Sequence, residues 1–134
     1  MGPAGGGRPP GPRVVERRGP RHLCSGRTAL KLGVQGAASG PHADYGRQIE
    51  MGAQLALEEI NAVGGILGCR LEKRFMDEEL RPATAVRNAR YLVTEWGAHF
   101  LYGVDSSGSA MALGPVLREL DRIHFFTPAG AVKG

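Results

Sequence analysis

Two cysteines, four histidines and the absence of any long apolar run set the first limits on what this 134-residue sequence can do. No apolar stretch approaches the ~20 residues that a membrane-spanning helix needs, so direct membrane insertion is not expected. Cys24 lies in an N-terminal arm and Cys69 in a turn, which gives a disulfide between them no evident basis, and no redox compartment is inferred. The histidines share no ligand spacing, so neither a metal site nor a cofactor is predicted; they are His22, His42, His99 and His124.

The sequence also lacks a secretory signal, because no apolar core of about 7–15 residues follows its basic start. As written, it therefore indicates either a product that stays in the cytoplasm or a signal that is encoded elsewhere.

Large aliphatic side chains are scarce in residues 1–27, which hold seven of the 21 glycines and five of the nine prolines. Such a segment buries too little apolar surface to offset its chain entropy, so a disordered arm is predicted there and a folded unit over residues 28–134. The arm has six arginines against one glutamate, whereas the rest of the chain has a net charge of −1. Because the basic charge lies outside the folded unit, no nucleic-acid partner is expected, and an arginine-rich arm that touches RNA is the minor alternative.

The stretch Tyr45–Glu72 organises the rest of the chain. Its apolar residues recur at steps of three and four, which is typical of a helix with one buried stripe. Asp44 is the predicted N-cap, and Gly64 and Gly65 are predicted to end the helix, because glycine readily adopts the left-handed conformation of a C-terminal cap. Ile60 closes the stripe and is predicted to be a core anchor.

Short segments that are apolar, or that alternate polar and apolar residues, are interspersed with helical patterns. This order predicts a three-layer α/β fold with a parallel sheet. Two further helices are expected after Pro82 and Ala110. Pro115 lies inside the second pattern, so that helix either begins near Pro115 or kinks there. The predicted strands are Leu30–Val34, Leu71–Phe75, Phe100–Tyr102 and Ile123–Phe126.

Three adjacent acids, Asp77, Glu78 and Glu79, follow the second strand. They suggest a cation site, but neither a histidine nor a set of regularly spaced oxygen ligands accompanies them. A solvated turn is the favoured interpretation.

Three loops follow the carboxyl ends of the predicted strands, at 36–45, 103–109 and 127–131. In an open parallel sheet, ligands bind beyond these ends, near the point where the strand order reverses. Ser106 and Ser107 lie at the start of a helix, where free N–H groups and the helix dipole favour an anion. Either serine could instead cap the helix, and the two roles are compatible.

The run E-I-N-A-V-G-G-I-L-G at 59–68, followed by a strand and an acidic turn, resembles the leucine-binding protein family. These are type I periplasmic solute-binding proteins of branched-chain amino-acid ABC transporters. The resemblance extends over roughly 30–131 and implies an incomplete N-terminal lobe. It also implies a periplasmic location, an amino acid or related small molecule as ligand, and a transporter permease as partner.

The resemblance assigns roles to individual residues. Ser107 best matches the serine that binds the α-carboxylate of the ligand, with Ser106 as the alternative. Tyr45 matches an aromatic residue that packs on the ligand, and Ala129 matches a position that contributes its backbone carbonyl. Ala131 stands where the family has a threonine, so a ligand-binding hydroxyl is missing, and amides or other small carboxylates become alternative ligands.

The loops at the carboxyl ends of the strands are compatible with two classes of function. One is reversible ligand capture, by a transporter component or by a ligand-sensing domain of the same fold. The other is an α/β serine hydrolase that uses Ser106 or Ser107 as nucleophile, but neither serine lies in a G-x-S-x-G motif, so an enzyme is not predicted. Because only part of one lobe is matched, the chain alone is expected to bind no better than about 1 mM.

Overall fold

A computed structural model describes Gly2, Gly5–Gly7, Cys24 and residues 29–127. Strands and helices alternate throughout the continuous part, as the sequence predicts, and a short 3-10 helix at Gly40–His42 precedes the first α-helix. The elements are β1 (Leu30–Gly36), α1 (Ala43–Ala62), β2 (Leu71–Asp77), α2 (Pro82–Thr94), β3 (Phe100–Gly103), α3 (Ser107–Leu120) and β4 (Ile123–Phe126).

The four strands form one parallel sheet in the order β2-β1-β3-β4. Helix α1 packs on one face, where Ile49 and Ala53 contact Val34. Helices α2 and α3 pack on the other, where Leu92 and Leu113 surround Leu101 of β3. The predicted three-layer α/β architecture is thereby confirmed. The chain runs from β1 to β2 in one direction and then crosses to β3 on the other side, so the switch in strand order lies between β1 and β3.

Only the first half of the α1 stripe is deeply buried. Ile49 and Ala53 belong to the core, but Ile60 is half-buried and Val63 is 84% exposed. The prediction that Ile60 is a core anchor is therefore wrong. An apolar groove of about 240 Å³ lies open between this end of α1 and the sheet, and Phe125 of β4 forms part of its wall.

The helix ends agree only partly with the sequence. Gly64 and Gly65 have φ angles of 100° and 83°, as the predicted C-terminal cap requires. His42, and not Asp44, is the N-cap residue of α1, and Asp44 forms an exposed ion pair with Arg47 at 3.5 Å. The helix therefore begins at Ala43, two residues before the start that a cap at Asp44 would give.

Helix α3 begins at Ser107, three residues before the predicted start, and Pro115 lies inside it. The earlier start arises because Ser106 has an extended backbone and its hydroxyl accepts a hydrogen bond from the Ser109 N–H. Such a cap fixes the first turn well ahead of the proline.

Cys24 and Cys69 form a disulfide, so the prediction of no bridge between them is wrong. Cys69 is fully buried and follows a tight turn in which its N–H donates to the Ile66 carbonyl at 2.8 Å. The bond joins positions 45 residues apart, and local patterns carry no information on contacts at that separation. Apart from Cys24, Gly2 and three further glycines, the predicted arm lies outside the described residues.

None of the helices in the described part of the chain is both long enough and apolar enough to cross a membrane.

Candidate ligand-binding site

Three loops meet at the carboxyl edge of the sheet, beside the switch in strand order. The β1 loop comprises residues 37–42, the β2 loop residues 78–81 and the β3 loop residues 104–106. The β1 and β3 loops flank the position at which an open parallel sheet binds its ligands.

The β3 loop turns sharply into α3. Gly103 has φ 110°, and a Cβ atom on it would lie 2.0 Å from the Gln35 carbonyl oxygen. Val104 follows with φ 61° and donates its N–H to the same carbonyl at 2.9 Å. The end of β3 is thus held close to β1, and the chain is redirected so that the two serines lie at the sheet edge.

Ser106 and Ser107 have different roles in this geometry. The Ser106 hydroxyl accepts from the Ser109 N–H at 3.1 Å and donates to the Ser109 hydroxyl at 2.9 Å, which makes it a helix cap. The Ser107 hydroxyl, in contrast, has no hydrogen-bond partner among residues 29–127. The N–H groups of Ser107 and Gly108 belong to the first turn, where no intrahelical acceptor exists. One hydroxyl and two N–H groups are therefore available for an anion at this helix end.

Tyr45 lies in the first turn of α1, is 53% exposed, and has its ring 5.4 Å from that of His42. Its position depends on Gly46, the next residue. A Cβ atom on Gly46 would lie 2.1 Å from the Ala37 carbonyl oxygen, so only glycine allows α1 to approach the β1 loop so closely. Tyr45 is consequently presented at the same edge of the sheet as the serines.

The acidic turn after β2 is solvated only in part, because Glu79 is exposed as predicted but Glu78 is not. Glu78 is fully buried, and its Oε1 accepts a hydrogen bond from the Asp105 N–H at 2.5 Å. Asp105, which is partly buried, accepts from the Ala37 N–H. The sequence pattern indicated only that acids follow β2, and it could not show that Glu78 alone of the three is buried, with its side chain hydrogen-bonded to the β3 loop.

The pKa values of these acids move in different directions. Burial raises the pKa of Glu78 and of Asp105, and neighbouring carboxylates add to this rise. For Glu78, hydrogen bonds from the Asp105 N–H and the Ser109 hydroxyl oppose the rise, although Oε2 has no hydrogen bond of ordinary geometry. Burial also acts to raise the pKa of Asp77, but hydrogen bonds from Ser39, Ala38 and Glu79 outweigh it, and the pKa falls.

The remaining predicted site residues, Ala129 and Ala131, lie outside the described residues, which end at Thr127. Sequence reasoning missed Glu78 and Asp105 as parts of the site. The signal that could have identified them was their position, since each follows the carboxyl end of a strand, at the edge of the sheet where ligands bind.

Catalysis or metal binding at this edge would need further features. Neither Ser106 nor Ser107 is hydrogen-bonded to a histidine or carboxylate within residues 29–127, as an activated nucleophile would be. No group of three or more histidine, cysteine or acidic side chains is placed to hold a metal ion in the described part of the chain. The geometry therefore provides hydrogen-bond donors for an anion.

Comparison with known proteins identifies the relatives of this chain. A family model described as periplasmic binding protein matches residues 29–133. The Leu/Ile/Val-binding protein BraC3 of Rhizobium johnstonii is 37% identical over 90 residues, which are 67% of this chain and 24% of that protein. The Leu/Ile/Val-binding protein of Escherichia coli K12 is 36% identical over 100 residues, or 75% and 27% of the two chains.

Solved structures give the same result. The branched-chain amino acid transporter substrate-binding protein LivJ of Streptococcus pneumoniae, in complex with isoleucine, superposes with a TM-score of 0.68 at 32% identity, over 77% of this chain and 30% of that one. An ABC transporter substrate-binding protein from Sphaerobacter thermophilus gives 0.71 at 26% identity, over 78% and 28%. The chain thus spans about a quarter of the length of the curated relatives it matches.

Proposed function

The chain belongs to the periplasmic binding protein family, and from this premise we propose that it provides the carboxylate-binding part of a ligand site for branched-chain amino acids or related small carboxylates. The observation that carries the proposal is the start of α3. There the Ser107 hydroxyl and the N–H groups of Ser107 and Gly108 have no hydrogen-bond partner among residues 29–127, while Ser106 supplies the cap.

The ligand class follows from the chemistry of this helix end together with the relatives. Unpartnered N–H groups and a helix dipole favour a negative group, and a serine hydroxyl can donate one further hydrogen bond. A carboxylate fits three such donors. The relatives are described as Leu/Ile/Val-binding proteins, and one related structure contains isoleucine. Tyr45, exposed at the same edge, would pack against the apolar part of such a ligand.

In the cell, we propose, the complete protein works in the periplasm and delivers its ligand to the permease of an ABC transporter. Descriptions of the relatives as substrate-binding proteins of such transporters support this partner. The work would be reversible capture and release, without a covalent step.

A panel of leucine analogues tests the proposal. Leucine, leucinamide and 4-methylpentanoate share the apolar side chain, but leucinamide lacks the carboxylate and 4-methylpentanoate lacks the amine. The 134-residue chain should bind leucine near 1 mM, since a partial site makes only part of the contacts of an enclosed one. Leucinamide should bind at least about tenfold more weakly, because a hydrogen bond to a charged group contributes about 1.5–3 kcal/mol. Affinities are measured by titration calorimetry at high ligand concentration. Equal binding of leucine and leucinamide would contradict the proposal.

The two serines provide the matched control. Ser107→Ala removes a hydroxyl that no residue in 29–127 uses, so it should weaken leucine binding while the melting temperature stays unchanged. Ser106→Ala removes the cap of α3 and should instead lower the free energy of unfolding by about 1 kcal/mol. If Ser106→Ala abolished binding and Ser107→Ala did not, the roles of the two serines would be reversed.

A further inference from the structure

Glu78 is buried at the edge of the sheet, yet the ligand site as described makes no direct use of it. Its backbone N–H donates to the Gly36 carbonyl at 3.1 Å, which fixes the residue against the end of β1. From there its side chain reaches the β3 loop, which follows the strand on the other side of β1. A fully buried carboxylate is costly to maintain unless it has partners, so its contacts indicate its role.

The Glu78 side chain is connected to the start of the serine turn. Its Oε1 accepts the N–H of Asp105, the residue before Ser106. Ser106 is in turn hydrogen-bonded to the hydroxyl and the N–H of Ser109. The buried carboxylate thus holds the residue from which the serine turn begins.

The connection continues to the β1 loop. The Asp105 carboxylate accepts the Ala37 N–H, and Asp77, at the end of β2, accepts the Ala38 N–H at 2.9 Å. The β2 and β3 loops are therefore each joined to the β1 loop, and Glu78 joins them to each other. No other side chain of the described residues hydrogen-bonds the β2 loop to the β3 loop.

We propose that Glu78 is a positioning residue for ligand binding, which holds the β3 loop in the geometry that presents the Ser107 hydroxyl and the Ser107 and Gly108 N–H groups. This role rests on the proposed function. A carboxylate suits the task because hydrogen bonds to an ionised acceptor are stronger than neutral ones, and a loop without such an anchor loses the fixed geometry that binding requires.

Several charged groups surround this carboxylate. Asp77 lies on the neighbouring end of β2, Asp105 lies on the β3 loop, and His42, next to α1, opposes the rise that burial causes in the pKa of Asp105. Because Asp77 and Asp105 repel a charge on Glu78, all variants are compared at one pH, near 7.

The test compares three variants of the 134-residue chain, labelled with ¹⁵N. Glu78→Ala removes the acceptor and should lower the hydrogen-exchange protection of the Asp105 amide at least about tenfold, as loss of a hydrogen bond to a charged acceptor predicts. It should weaken leucine binding by a similar factor. Glu78→Gln keeps an acceptor oxygen in place and should restore most of both. Glu79→Ala changes the exposed neighbour and should alter neither.

Amides of β1 and β3 report whether the fold is intact. Should Glu78→Ala not fold, Glu78→Asp serves the same purpose, since it keeps the charge but draws the carboxylate back by one methylene. If the Asp105 amide kept wild-type protection in Glu78→Ala or Glu78→Asp, the proposal would be overturned. Wild-type leucine affinity in a variant whose β3 loop has lost protection would overturn it as well. If the wild-type chain bound no leucine, the proposed function would be contradicted. The hydrogen-exchange protection of the Asp105 amide would still show whether Glu78 holds the β3 loop.

Discussion

Single residues determine how closely α1 approaches the β1 loop, and two glycines of that helix allow a matched comparison. Gly46 faces the backbone of Ala37, so a Cβ atom there would overlap the Ala37 carbonyl, whereas nothing lies within 4 Å of a Cβ on Gly52. Both residues lie within the same helix. The difference between them is therefore one of packing and not of secondary structure.

Gly46→Ala should lower the free energy of unfolding by about 1–3 kcal/mol, as overpacked cores do. Gly52→Ala should raise it by up to about 1 kcal/mol, because alanine stabilises an exposed helical position more than glycine does. Urea denaturation of the two variants measures both effects. Equal effects of the same sign would show that the close approach of α1 to Ala37 is not present.

His124 makes the free energy of unfolding depend on pH. Its ring stacks on Phe126 with centroids 4.1 Å apart, and burial lowers its pKa from 6.5 to about 4. The folded state therefore resists a proton that the unfolded chain accepts. The contribution of His124 to stability is full above pH 6.5 and is lost as the pH falls towards 4.

Relative to His124→Gln, which does not titrate, the wild type should lose about 2–3 kcal/mol of unfolding free energy between pH 7 and pH 4. Urea denaturation at several pH values gives this difference. Taking the difference removes the contributions of Glu78 and Asp105, whose raised pKa values act in the opposite direction. A constant difference across this range would mean that His124 is accessible to protons in the folded chain.

At the scale of helices and strands, the sequence predicted much of what the structure shows. All four strands lie where the alternation of side chains indicated, and Gly64 and Gly65 end α1. Periodicity is a local property, so it could not show that the end of the α1 stripe faces an open groove or that Glu78 is buried. Those features depend on which elements become neighbours in the sheet.

The two isoleucines of α1 test the groove. Ile49 is buried against Val34, so Ile49→Ala should cost about 2–5 kcal/mol of unfolding free energy. Ile60 lies beside the groove and is half-buried, so Ile60→Ala should cost less than half of that. Chemical denaturation of both variants provides the comparison. An equal cost would indicate that another part of the protein covers the groove.

At the scale of the whole molecule, the disulfide joins Cys24 to the turn after α1 and closes a long loop of chain. A covalent link of this span stabilises chiefly by restricting the unfolded chain, by about 2–4 kcal/mol. Two shortened chains form a matched pair: one that starts at Leu23 keeps Cys24, and one that starts at Thr28 does not.

The chain that starts at Thr28 should melt at a lower temperature than the one that starts at Leu23, and a reducing agent should remove the difference. Thermal unfolding followed by circular dichroism measures it. Equal melting temperatures under oxidising conditions would show that the link contributes nothing. The composition of the arm predicts that all of residues 1–27 is dispensable for the fold, but the disulfide at Cys24 limits that expectation to residues 1–22.

The central claim is that the start of α3 binds the carboxylate of the ligand, and a leucine titration of the ¹⁵N-labelled 134-residue chain tests it most directly. We expect the Ser107 and Gly108 amides to shift most, with half-saturation near 1 mM, and we expect Ser107→Ala to weaken the effect at least about tenfold. The largest shifts at the groove beside Ile60 and Phe125, or no shift at Ser107 and Gly108 well above the millimolar range, would contradict it.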